Sequence, residues 1–231
     1  MSEMPASEIP ITGELRRRED PARQSIPLAT ARLVAGVLAR LLFRIDIRGL
    51  EHLPATGPVL IAGNHTGWLD GPLVQILLPR PNSFLVKSEL YDTAFRRVLD
   101  FARQIPVHRG TADRTALRRG LAVLAGGGVL GVFPEGTRGG GALESVQHGI
   151  GYIALHAGCP IVPVVCTGTA EALPKGAKFV KLRTPISIVF GPAFSLDVDG
   201  DVRARSTVAA AAEQIRLRLL DHLETVSRSG G

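Results

Sequence analysis

The chain has 231 residues, 45% hydrophobic and 21% charged, with a net charge of +6 and two cysteines. That length suits one large domain with a substantial core and no disulfide framework, and the apolar content excludes a disordered chain. Eight Phe, two Tyr and one Trp, with no interleaving of Arg and aromatic residues, argue against a nucleic-acid binder.

Residues 1–25 are polar, include the run Arg16-Arg-Arg-Glu-Asp20, and read as a mobile tail. Residues 26–43 are apolar but carry Arg32 and Arg40, which makes the segment too short and too charged to span a membrane. Leu33, Val37, Leu38, Leu41 and Leu42 recur at helical spacing. The pattern predicts an amphipathic helix that either packs on the core or lies in a membrane interface.

From residue 44 onward strand and helix patterns alternate. Strands are predicted at Arg44–Arg48, Val59–Ala62, Phe84–Lys87, Gln104–Val107, Val129–Phe133, Ile161–Cys166 and Ile186–Phe190. Helices are predicted at Pro72–Leu78, Asp92–Arg103, Ala112–Ala125, Ile150–Ala157 and Arg205–Val226. Such alternation implies a single α/β domain over residues 44–231, with a mixed, mainly parallel sheet flanked by helices. Gly126-Gly-Gly-Val-Leu-Gly131 fits G-x-G-x-x-G, but it follows a helix and enters a strand, the reverse of a dinucleotide site, so it reads as a helix C-cap and loop. Cys159 and Cys166 lie in an apolar stretch and read as buried free thiols, which suits a reducing compartment.

Two segments carry most of the chemistry. Asn64-His-Thr-Gly-Trp-Leu-Asp70 and Phe133-Pro-Glu-Gly-Thr-Arg138 each follow a predicted buried strand. Five residues of regular helix turn about 500°, and five of strand put the two side chains on opposite faces. His65 and Asp70 therefore meet only across irregular backbone, which Gly67 allows. If they meet, the carboxylate fixes one imidazole nitrogen and leaves the other as a general base; otherwise His65 caps a turn and Asp70 the next helix. At the second segment Glu135 and Arg138 arrive together at a strand end. They can bind hydroxyl and phosphate, or simply pair with each other. Arg109 after a third strand and Lys87 closing a fourth add two cations. Between Arg80 and Arg119 nine basic residues stand against four acidic ones. That is either a field for phosphate groups or a solvated Arg-rich face.

These segments resemble the four blocks of the glycerolipid acyltransferase family. Its first block, Asn-His-x-Ser-x-x-Asp, is matched at residues 64–70 with Gly67 in place of Ser. Its second, an apolar stretch ending in Arg, is matched at residues 105–109, with His108 where phosphatidate-forming members often carry Asp. Its third, Phe-Pro-Glu-Gly-Thr-Arg, is matched residue for residue at 133–138. Its fourth, an apolar Val-Pro pair, is matched at Ile161-Val-Pro-Val164. The resemblance covers roughly residues 45–195. It implies transfer of a fatty acyl group from an acyl thioester to the free hydroxyl of lysophosphatidic acid, forming phosphatidic acid, or the same chemistry on glycerol 3-phosphate or another lysolipid. A non-catalytic lipid-binding protein of the same fold is the reading from a different class.

By the same resemblance His65 is the base and Asp70 its orienting partner. Arg109, Arg138 and Lys87 bind the acceptor phosphate, and Glu135, Gly136 and Thr137 help to organise the acceptor. Acyl-CoA or an acyl carrier protein is the donor, and no metal or cofactor is called for. The implied partners are lysophospholipid, donor and a membrane lipid surface, with the protein peripheral or monotopic on the cytoplasmic face. Gly67 is expected to loosen the turn that carries His65. Gly139-Gly-Gly141 and Gln147-His148 replace a basic run after the third block and bear on the acceptor.

Overall fold

The computed structural model describes residues 26–108, 113–135, 143 and 147–229. The predicted tail at 1–25 lies outside them, as do Arg109, Gly136, Thr137, Arg138 and the Gly139–Gly141 segment.

In chain order the elements are α1 (Ile26–Leu42), β1 (Arg44–Arg48), β2 (Val59–Gly63), α2 (Asp70–Leu77), β3 (Asn82–Lys87), α3 (Arg96–Phe101), β4 (Ile105–Val107), α4 (Arg114–Ala125), β5 (Val129–Val132), α5 (His148–Ala157), β6 (Ile161–Thr167), α6 (Thr169–Ala172), β7 (Pro185–Phe190) and α7 (Arg205–Ser229). Each predicted strand forms. The strands make one seven-stranded sheet in the order β1-β7-β6-β2-β5-β3-β4. Only the β6–β7 pairing is antiparallel. The mixed, mainly parallel α/β domain expected from the pattern is what the chain builds.

The central strands are apolar throughout because both faces are covered. Along β2, Val59 and Ile61 join the core beneath α1 and α2, while Leu60 and Ala62 join the core beneath α4, α5 and α7. Full burial of side chains of this size contributes roughly 1.5–3 kcal/mol each before entropy is charged. The α4 helix starts where the Asp113 carboxylate accepts the Ala116 N–H at 2.9 Å and ends at Gly126, followed by Gly127 at φ 75°. The Gly-rich motif is therefore a helix terminus, as its order implies.

One element differs in its packing. On α1 the buried residues are Leu28, Gly36 and Ala39, while the predicted apolar face is solvent-exposed: Leu33 70%, Val37 51%, Leu38 52%, Leu41 66%. The Arg32 guanidinium turns inward and donates to the carbonyls of Leu78 and Arg80. Packing on the core by the leucine stripe is thus overturned. The small residue Gly36 lets α1 lie close to Ile76 and Leu77 of α2, and the Arg32 guanidinium serves two carbonyls ahead of β3.

Candidate active site

Strands β2, β3, β4, β5 and β6 are mutually parallel, so their carboxyl ends form one rim. Such a rim is where open α/β sheets place ligands. β2 ends at Gly63, and a short loop leads to α2. Buried Asn64 continues the β2–β6 ladder with its side chain: Nδ2 donates to the Cys166 carbonyl at 3.1 Å, and Oδ1 accepts the Cys166 N–H at 2.7 Å. This clamp fixes the start of the loop on the neighbouring strand.

Asp70 is fully buried at the first turn of α2, yet its carboxylate does not cap that helix. It turns back over the loop. Oδ2 accepts the backbone N–H groups of Thr66 at 2.7 Å and Gly67 at 2.8 Å, and the Nδ1–H of His65 at 2.9 Å. The Thr169 hydroxyl, from the segment after β6, donates to Oδ1. An ionised carboxylate only accepts, so the imidazole proton sits on Nδ1 and Nε2 keeps its lone pair. The His65 ring stacks on Phe133 with centroids 4.9 Å apart, and Phe133 stacks on Phe84 at 5.6 Å. From the end of β5, Glu135 Oε1 accepts the His65 backbone N–H at 3.1 Å. The first and third blocks of the resemblance thus meet directly. Sequence reading assigned Glu135 to the acceptor; its carboxylate also holds the backbone of the loop.

Gly67 does not loosen this loop. A Cβ added there would lie 2.9 Å from Thr169 C, Thr169 Oγ1 and Ala170 N, so the close approach of α6 excludes a side chain. The hydrogen bonds to Asp70 keep the turn closed.

Lys87 ends β3 on the same rim and pairs with Glu89 at 2.8 Å in an exposed ion pair. Arg109, Gly136, Thr137 and Arg138 lie outside the described residues. His108 directly follows β4, three strand spacings or about 14 Å from β2. It repeats the His-x4-Asp spacing, because its Nδ1 lies 3.0 Å from Asp113 Oδ2. The two pairs differ in enclosure. The side chains of His65 and Asp70 are 14% and 0% exposed, against 73% and 12% for His108 and Asp113. Asp113 is principally a helix cap, whereas Asp70 serves the histidine loop.

Asn64, Thr169 and Phe133 were not picked out as site residues. Asn64 and Phe133 stood inside matched motifs and could have been. Thr169 had no local signal, because its partner lies 99 positions away. Cys166 is fully buried; burial first, and then the Asp70 charge, push its thiol well up. Burial raises Cys159 too, so neither offers a thiolate at neutral pH. A small cavity lined by Leu28, Arg32, Gln75, Asn82 and Ser83 lies at the opposite end of β3, away from this rim. Among the described residues no three His, Cys, Asp or Glu side chains gather as metal ligands.

An α/β protein that presents a carboxylate-oriented imidazole at the carboxyl rim of its sheet is the class this geometry defines. More narrowly, the chain belongs to the Acyltransferase family, whose model matches residues 44–167, more than half of the chain. A chloroplastic 1-acyl-sn-glycerol-3-phosphate acyltransferase of Arabidopsis thaliana is 29% identical over 170 residues, covering 69% of this chain and 46% of its own length. The chain thus spans about half the length of that relative. The 1-acyl-sn-glycerol-3-phosphate acyltransferase of Bacillus subtilis is 24% identical over 181 residues, covering 76% of this chain and 86% of the relative. The fold matches the crystal structure of the 1-acyl-sn-glycerophosphate (LPA) acyltransferase of Thermotoga maritima with a TM-score of 0.61 at 20% identity, over 92% of this chain and 88% of that one.

Proposed function

We propose that this protein is a glycerolipid O-acyltransferase that moves a fatty acyl group from acyl-CoA or acyl carrier protein to the free hydroxyl of lysophosphatidic acid, forming phosphatidic acid. The observation that carries this reading is the His65 imidazole, held at Nδ1 by buried Asp70 with Nε2 left to accept a proton. The acceptor hydroxyl gives its proton to Nε2 as its oxygen attacks the thioester carbonyl. Asp70 stabilises the imidazolium that forms. Collapse of the tetrahedral intermediate breaks the C–S bond, and the leaving sulfur takes the proton back from His65. Ester and free thiol are the products. Every proton and bond is accounted for by His65 and the two substrates, so the reaction calls for no metal, cofactor or acyl-enzyme.

Arg109, Arg138 and Lys87 serve the acceptor phosphate. Glu135, Gly136 and Thr137 are assigned to the acceptor by the third matched block. The exposed Lys87–Glu89 pair is solvated and competes weakly with a phosphate.

The membrane surface is the partner these substrates require, and several exposed apolar side chains support that reading. α1 and α2 cover one face, and Gln75 of α2 donates to Ala102 just beyond α3, which brings α3 alongside them. Phe95, Val98 and Phe101, on and beside α3, are exposed, as are the outward leucines of α1. Phe179 at 84% exposure and Leu182 at 65% sit in the loop between β6 and β7, among Lys175, Lys178 and Lys181. The Arg183 N–H donates to the Leu42 carbonyl at 2.6 Å, joining that loop to the end of α1. Both lie at the rim that carries His65. Apolar side chains ringed by Lys and Arg suit an anionic lipid surface. No helix among the described residues is long and apolar enough to cross a membrane. We place the protein on the cytoplasmic face, peripheral or monotopic.

Labelled acyl-CoA and acyl carrier protein are offered with a panel of lysolipids and glycerol 3-phosphate to wild type and to His65→Ala. Turnover with lysophosphatidic acid, lost about a thousandfold in the variant with lysolipid affinity retained, is expected. No product with any acceptor, together with undiminished lipid binding by His65→Ala, makes the protein a lipid binder instead.

A further inference from the structure

We infer that Thr169 is a positioning residue for the His65–Asp70 pair, and that Gly67 is the space it needs. The inference rests on the acyl-transfer reading for its kinetic consequence, though not for its geometry. Thr169 is fully buried, as is Asp70. Both oxygens of Asp70 are engaged on different sides. Oδ2 holds His65 and two loop N–H groups. Oδ1 receives the Thr169 hydroxyl, while Thr66 Oγ1 stands 3.4 Å from the same oxygen. Thr66 Oγ1 is also 3.0 Å from Thr169 Oγ1. A hydroxyl has one proton and two lone pairs. Thr169 therefore donates to Asp70, and the single Thr66 hydroxyl proton goes either to Thr169 Oγ1 or to Asp70 Oδ1.

A buried carboxylate with one oxygen unsatisfied could turn about its Cβ–Cγ bond, which carries Oδ2 out of line with His65 Nδ1. The Thr169 hydroxyl opposes that turn by occupying Oδ1 from the start of α6. It does so from a well-held place. Gly168, at φ 81°, packs so closely on Pro185 that a Cβ would lie 2.1 Å from its carbonyl oxygen. The Ala172 N–H closes back on the Gly168 carbonyl at 2.9 Å. This turn lies directly on Gly67, where a Cβ would meet the Thr169 and Ala170 backbone at 2.9 Å. Only a residue without a side chain at 67 lets the hydroxyl reach Asp70. In this chain the β6 end thus supplies to Asp70 a hydroxyl that the loop at position 67 cannot carry.

The test compares full-length wild type with Thr169→Val, which keeps shape and loses the hydroxyl, and Thr169→Ser, which keeps the hydroxyl. Measured are kcat and KM for acyl transfer, thermal midpoints, and the His65 imidazole N–H proton resonance. Thr169→Val is expected to lower kcat about tenfold with KM unchanged and to displace or broaden the resonance. Thr169→Ser is expected to restore both. If Thr169→Val does not fold, Thr169→Ala and Thr169→Ser make the same comparison, since both shrink the side chain and only Ser keeps the hydroxyl. Wild-type kcat and resonance in the Val variant, or a Ser variant as slow as Val or Ala, overturn the inference. A wild type that turns over no acceptor rejects the acyl-transfer reading alone, and the resonance still decides the role of Thr169.

Discussion

The Glu135 carboxylate, at the end of β5, accepts the backbone N–H of His65, at the end of β2, at 3.1 Å. The strands are direct neighbours, with Ala62 opposite Val132, so the sheet itself sets this distance. Glu135 is 7% exposed, and the contact ties the two motif-bearing loops into one unit.

Replacing Glu135 by Ala removes the acceptor and leaves an N–H beside the imidazole without its partner. A loss of about 1–3 kcal/mol in urea unfolding is expected, with a fall in kcat. Glu135→Gln keeps an acceptor oxygen and should recover most of the stability. Equal stability losses in the two variants would argue against this contact.

Asp70→Asn should preserve the fold and lose activity by a factor of about a thousand. The amide oxygen can still receive the Thr66 and Gly67 N–H groups. The same oxygen then receives the His65 Nδ1–H while the NH2 turns to the Thr169 hydroxyl, so the imidazole keeps its place but loses the negative charge that stabilises its protonated form. Steady-state kinetics with circular dichroism as a fold control checks this. A variant with near-normal kcat would remove Asp70 from the mechanism.

Leu33→Ser, Val37→Ser and Leu41→Ser together alter side chains that are already solvent-exposed, so the thermal midpoint should hold. Co-sedimentation with vesicles containing phosphatidylglycerol should drop at least tenfold. Undiminished sedimentation would remove α1 as a membrane contact. The same measurement on Phe95→Ser with Phe101→Ser separates the contribution of the α3 region.

Asp113 gives a pH signature away from the dyad. The His108 backbone N–H, then that of Ala116 and the His108 ring, hold its carboxyl down to about 2 from an ordinary 3.8. A depressed carboxylate adds stability that is full above 3.8 and is lost as pH falls through about 2. Asp113→Asn keeps a capping side chain but cannot ionise. Wild type should exceed it in stability at pH 6, and the gap should close between pH 3.8 and 2. A gap constant over that window would show that the charge of Asp113 does not stabilise the fold.

The local pattern was enough for much of this protein. Apolar runs bounded by turn residues predicted the central strands, because a strand buried on both faces has to be continuously apolar, whereas Arg44–Arg48 alternates and lies at the sheet edge. The motif segments were legible for a related reason. Residues directly after such strands share a rim whenever the strands run parallel, so His65, Lys87 and Glu135 were bound to one side of the molecule. The outward stripe of α1 was misleading in one respect. Helical spacing shows that a face exists but not which medium it meets, and Gly36, Ala39 and an inward Arg32 took the protein side.

Strand order, which puts β2 between β5 and β6, was decided only in three dimensions. With it came the contacts that hold the local His65–Asp70 pair in place: Glu135 from one neighbour, the Asn64 clamp and the Thr169 hydroxyl from the other. Residues 1–231 contained those groups, but their chemistry depends on distances of about 3 Å between positions some 70 to 100 apart. Hydrogen bonding is short-ranged and directional, and only the folded sheet brings such partners within reach.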